Sequence, residues 1–167
     1  MLMALAPEDM RFALDDARRR HTAVVDQIAA NDRQALGFLQ LYVALAGGSL
    51  SGGAAIALSG ANTFPKALGY GLFGFAVPLI LGAMFCMASI WPSNISLPGR
   101  KPDFWIWANE VTAEKAYLAY LENLAIKEAQ NTRLNIKLSR LMLIAKALGV
   151  AAPVVAIIAG AASFWFR

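Results

Sequence analysis

The chain has 167 residues, of which 58% are hydrophobic and only 16% charged, and its mean hydropathy is +0.51. Soluble domains sit nearer half apolar and about a quarter charged, so the composition excludes an ordinary water-soluble fold and predicts an integral membrane protein. The formal net charge is +4, yet every Asp and Glu falls within residues 8–32 or 103–128; a bilayer imposes such segregation, because charges in hydrocarbon are costly.

The opening Met1 to Pro7 is apolar but short and runs directly into Glu8 and Asp9, so no cleavable signal peptide is expected. Residues 7–36 read as an amphipathic helix. Pro7 suits a first turn, the two acids favour its positive end, and Leu14, Ala17, Val24, Ile28 and Ala35 recur at helical spacing. Asp15, Asp16, Arg18, Arg19, Arg20, Asp26 and Arg33 occupy the other faces. No proline separates this helix from the next segment, so the two can be continuous.

A first span is predicted over 37–58, free of charge and long enough for a hydrocarbon core of about 30 Å. Gly47, Gly48, Gly52 and Gly53 lie in it; Gly48 and Gly52 form a GxxxG, and Gly47 with Ser51 a parallel small-residue pair, spacings that allow helices to approach closely in lipid. Ser49 and Ser51 add hydroxyls at that depth. Residues 59–66, with Gly60, Asn62 and Pro65, read as a turn. A second span follows over 67–91, with Pro78 expected to kink it and Trp91 marking an interface. The lone Cys86 lies inside it, so no disulfide within the chain is possible and the residue reads as a small buried apolar group.

Residues 92–104 read as a loop, Phe104, Trp105 and Trp107 as a return to the headgroup layer, and 107–136 as a long polar helix with Tyr117, Leu121 and Leu124 in one stripe. The third span is predicted over 141–166, with Lys146 able to snorkel and Phe164, Trp165 and Phe166 forming an aromatic belt before Arg167. The fold class expected is therefore an all-α integral membrane protein: about three transmembrane helices with two long cytoplasmic helices, homo-oligomeric. Its segments are a basic helix (1–36), a transmembrane hairpin (37–91), a cytoplasmic loop and helix (92–140) and a third transmembrane helix (141–167). Five Lys or Arg lie in 1–36 and seven in 92–141, against Lys66 alone in the turn at 59–66. The positive-inside rule then places the amino terminus and the 92–140 segment in the cytoplasm.

The predicted spans contain no Asp, Glu or His, which disfavours a proton-coupled transporter. His21 is the only histidine, and no phosphate loop, HExxH or CxxC is present, so no catalytic residue, metal site or cofactor is expected and the chain reads as a non-enzyme. The basic residues carry the functional lead. Arg18, Arg19, Arg20 and His21 cluster on the first helix, with Arg33 at the membrane entrance. Lys127, Arg133, Lys137 and Arg140 run down the second, and 133, 137 and 140 follow i, i+4, i+7 on one face. Together these nine form an expected electropositive mouth for a nucleotide or oligonucleotide. Anionic lipid is the competing partner for juxtamembrane cations. Gln40, Gly47, Gly48, Ser49, Ser51, Gly52 and Gly53 are the expected pore-lining or helix-packing group. Three spans cannot easily enclose a channel, so conduction needs several copies; a tetramer is the expectation.

The stretch Asn31 to Gly37 places Asp32 and Ala35 ahead of the first span. It resembles the Asp-x-Lys-Ala-Gly entrance motif of small bacterial anti-phage membrane effectors, the Pycsar transmembrane and SLATT-like families, with Gln34 in place of the lysine and Leu36 intruding before Gly37. The layout of helices and the polar lead-in from Asn131 to Lys137 are similar as well. The resemblance, which extends to the Hailong channel effector, implies an inner-membrane protein that disrupts the membrane on infection. Its control would come from a nucleotide or DNA oligomer made by a partner nucleotidyltransferase or cyclase. The alternative from another class is a non-conducting scaffold whose cytoplasmic helices recruit a protein.

Overall fold

In a computed structural model of the protein, residues 7–58, 65–91 and 94–163 are described, Pro7 and Glu8 by backbone alone. Four helices account for most of them, with no strand among the described residues: α1 (Pro7–Leu58), α2 (Lys66–Ile90), α3 (Pro102–Ala108) and α4 (Ala113–Ala162). Three of the four, α1, α2 and α4, are long and apolar enough to cross a membrane. Residues 59–64 of the turn expected at 59–66, Pro92, and the aromatic belt at Phe164, Trp165 and Phe166 with Arg167 lie outside the described residues.

The possible continuity of the first two segments is realised: α1 is one helix of 52 residues. Likewise, the polar helix and third span are a single 50-residue α4. The polar helix starts at Ala113 rather than at 107, because a separate short helix runs to Ala108 and residues 109–112 intervene. Pro102 opens α3 at a position whose N–H has no helical partner, and Asp103 sits in its first turn. That helix closes when the Asn109 and Glu110 N–H groups bond back to Ile106 and Trp107 carbonyls. Thr112 then starts α4: its carbonyl accepts from Ala116 N–H at 3.0 Å and its hydroxyl from Lys115 N–H at 3.4 Å. Helix α2 continues through Pro78, and α4 through Pro153.

The residues divide into two compact units, and α1 and α4 contribute to both. The charged unit comprises Met1–Ala30 and Ser93–Lys137. Its apolar core is Leu14, Tyr120 and Leu124, with Ala17, Phe104, Tyr117 and Leu121 packed around it. Phe104 meets Tyr120 edge to face at 5.9 Å. The aromatic run at 104–107 thus has packing partners within this unit.

The apolar unit comprises Asn31–Pro92 and Leu138–Arg167. Here α2 packs against both α1 and α4, and glycine sets the distances. A methyl group at Gly53 would come within 3.2 Å of the Gly69 carbonyl oxygen and the Phe73 ring. One at Gly74 would meet the Ala159 methyl at 2.5 Å, and one at Gly71 the Ala156 carbonyl oxygen at 3.2 Å. Small residues therefore bring the backbones together, as lipid-embedded helices require where no hydrophobic drive separates helix from solvent. Tyr42, Ala46, Ala76, Leu79, Met142, Ala145 and Ala152 form the core with Cys86, which is fully buried as its apolar setting predicts.

Candidate functional site

The nine basic or imidazole groups expected at a common mouth have different fates. His21 is the clearest departure: it is fully buried. Its Nε2–H donates to the Ser96 carbonyl oxygen at 3.0 Å. Asn131 Nδ2 donates to the same oxygen at 2.9 Å, and Asn131 Oδ1 accepts from Ser96 N–H at 3.0 Å. A loop without secondary structure is thereby fixed between α1 and α4, because its backbone polar groups need partners when buried. His21 is thus part of the charged unit's interior, where its Nδ1 has no hydrogen-bond partner among the described residues.

Three further cations also hold the charged unit together. Arg20 pairs with Glu128 at 2.7 Å. Lys127 Nζ donates to the Leu97 and Gly99 carbonyls at 3.1 and 3.0 Å. Gly99 has φ +98, a left-handed conformation that side chains rarely adopt, and this turn aims the two carbonyls at one ammonium. Arg18 donates through Nε to the Tyr120 hydroxyl at 3.2 Å and lies 5.0 Å from that ring's centre, with Asp15 at 3.9 Å. Sequence reasoning missed Arg100, which lies 4.2 Å over Phe104 and donates to the Ala119 carbonyl at 2.6 Å.

What remains accessible is a smaller set. Arg19, Arg133 and Lys137 are exposed in the charged unit, and Arg33 and Arg140 in the apolar unit. None of these five makes an ion pair or side-chain hydrogen bond among the described residues.

The entrance stretch packs within the apolar unit. Ala35 is completely buried, Asn31 donates to the Ser139 hydroxyl at 3.2 Å, and Lys146 Nζ donates to Gln34 Oε1 at 3.1 Å. Lys146 also lies 5.6 Å from the Phe38 ring centre, so its ammonium reaches toward the start of the predicted span. Asp32 is half-buried, and desolvation pushes its carboxyl above the usual carboxylate range.

The pore or packing group splits by face. Gly52 and Gly53 point at α2, and Ser49 is buried with its hydroxyl donating to the Leu45 carbonyl one turn back at 2.7 Å. Gln40, Gly47, Gly48 and Ser51 are exposed, and Gly47 and Gly48 have open space around them. Gln40, Ala44, Gly47 and Ser51 follow i, i+4, i+7, i+11 and share one helix face. Tyr42, Ala46, Ser49 and Gly53 occupy the opposite, buried face. Leu36 and Leu58 bound the stripe at its two ends, and Leu41, Val43 and Leu50 flank it. Among the described residues no cluster of His, Cys, Asp and Glu could hold a metal ion.

Beside this geometry, comparison with known proteins is silent: no family profile, no curated protein and no solved structure matches the chain.

Proposed function

We propose that this chain is a membrane effector that acts as a homo-oligomeric ion channel or membrane-disrupting pore in a bacterial inner membrane. In this reading its charged helical unit faces the cytoplasm and reads a nucleotide or oligonucleotide, as in an anti-phage system with a partner enzyme that makes the ligand. One observation carries the conducting part: between Leu36 and Leu58, the face of α1 opposite its own packing side bears Gln40, Ala44, Gly47 and Ser51 rather than large apolar residues. An amide facing hydrocarbon is unfavourable, and small residues there fill little of the lipid contact that leucine would. Surrounding an axis with copies of this face resolves both problems and lines a passage with polar groups. Three spans of one chain do not enclose a channel, so copies are required. Arg19, Arg133 and Lys137, exposed and without a partner among the described residues, support anion reading by the charged unit.

The test is ion flux through liposomes containing the purified protein, with cross-linking to count subunits. Flux from wild type and its loss in Gln40→Leu with Ser51→Leu, at unchanged fold, is the expected result. Monomeric protein with no flux under any nucleotide supports the scaffold reading instead.

A further inference from the structure

The charged unit contains a cavity of about 460 Å³ that the sequence does not announce. Phe104, Trp105, Tyr117 and Tyr120 wall it, and Arg11 and Arg18 stand at it. This size lies within the ~300–1,000 Å³ range of small-molecule sites, which are mostly apolar with a few placed polar groups. Trp105 is 50% exposed although it lies 6.1 Å from Tyr120, so its ring remains available for stacking.

We infer that this aromatic cleft binds a planar aromatic group carrying an anionic substituent, of which a nucleoside monophosphate is the representative. The sign of the charge decides against the reverse, an aromatic cage for a cation. Two guanidiniums and one carboxylate, Asp15, line the cavity, and Asp15 is engaged with Arg18 at 3.9 Å. Arg11 is exposed and without a partner among the described residues, so it is the cation left to receive an anion. A guanidinium presents paired donors that match phosphate or carboxylate oxygens. Tyr120 holds Arg18 through its hydroxyl at 3.2 Å, which fixes that guanidinium before any ligand arrives. Stacking of a base on aromatic side chains contributes without regard to base identity. One local positive charge in excess suits one anionic group on the ligand. Free mononucleotides and the terminal residue of an oligonucleotide share this chemistry. The inference rests on the reading above that the charged unit recognises an anionic ligand, and it names the seat and the class.

Calorimetry on the full chain in detergent tests it, with adenosine 5′-monophosphate as probe. Saturable binding at one site per chain is expected, with adenosine and ribose 5-phosphate each weaker by about tenfold or more, since each lacks one half of the recognised group. A 5′-phosphorylated dinucleotide binding more tightly than the mononucleotide assigns the seat to an oligonucleotide end; weaker binding assigns it to free mononucleotide. Arg11→Glu and Trp105→Ala should each lower affinity about tenfold or more, a larger loss than Arg133→Glu with Lys137→Glu causes. Arg11 has no partner among the described residues, so Arg11→Glu keeps the test valid if Trp105→Ala misfolds. Absent binding overturns the inference, as does ribose 5-phosphate matching the nucleotide, or a loss that follows Arg133 and Lys137 instead of Arg11. Flux in liposomes without nucleotide binding overturns the cleft alone; binding without flux under any condition overturns the channel reading and leaves the cleft standing.

Discussion

The Tyr42 ring lies directly against Gly149. A methyl group at position 149 would overlap the tyrosine hydroxyl and come within 2.8 Å of the ring carbon that bears it. The same ring lies over Gly82, where a methyl would meet it at 2.8 Å, and its hydroxyl donates to the Ala145 carbonyl at 3.0 Å. One side chain from α1 thus occupies space left by glycines on α2 and α4 and is tethered by a hydrogen bond.

Gly149→Ala should therefore destabilise the apolar unit by about 1–3 kcal/mol, the usual cost of overpacking. Tyr42→Phe should cost about 1 kcal/mol by removing the bond to Ala145. The double variant should be less impaired than the sum, because deleting the hydroxyl frees the space the new methyl needs. Thermal unfolding in detergent measures all three; strict additivity would contradict the contact.

The bonds around Ser96 predict a local effect. Asn131→Ala leaves the Ser96 N–H without its acceptor and removes one of two donors to its carbonyl, at a cost of about 1–3 kcal/mol. Hydrogen exchange should rise in residues 94–101 first, with the glycine seam of α2 unaffected. Uniform protection loss would place the damage elsewhere.

Asp32 gives a pH dependence. Its folded pKa is raised by burial, so the folded chain holds the proton more tightly than the unfolded chain. The stability from this group is fully present below the unfolded pKa and is lost as pH rises through the folded value. Asp32→Asn cannot ionise and avoids that loss. Its melting temperature should exceed wild type at neutral pH, with the gap closing as pH falls into the carboxylate range. A gap that does not change with pH would rule out the titration as its cause.

Arg33 lies seven residues before Gln40, on the same face of α1 as the polar stripe, and is exposed. A cation at the entrance of a conducting path favours anions. In planar bilayers, wild type should prefer chloride over potassium, and Arg33→Glu should move the reversal potential toward the cation. Identical reversal potentials would remove Arg33 from the path.

The apolar segments were legible because periodicity and charge segregation are properties of single segments. Helix α2 starts at Lys66, one residue from its expected start, and ends at Ile90, one residue short of Trp91. Cys86 reads correctly from its neighbours for the same reason. Partnership was not legible. His21 resembles a surface group on a basic helix, and only the return of the loop at Ser96 makes it a core residue. Arg20 and Lys127 looked available because their partners, Glu128 for Arg20 and the turn at Gly99 for Lys127, are distant from them in sequence. Tyr120 escaped the apolar stripe although it is spaced one turn from Tyr117 and Leu124, and with it went the cleft. The glycines of the first span were read as one group, whereas helix phase sorts them: Gly53 inward, Gly47 outward.

That sorting has a consequence for mutational tolerance. At Gly53, Gly71 and Gly74 a larger residue meets backbone or a neighbouring methyl at once, so substitution there should deplete protein from the cell. At Gly47 and Gly48 no described residue comes within 4 Å of an added methyl group. Variants there should accumulate at normal levels, and any phenotype they show reports on whatever covers that face. A scan that scores abundance and toxicity separately would let the two classes of glycine part, locating the assembly surface without a structure of the assembly.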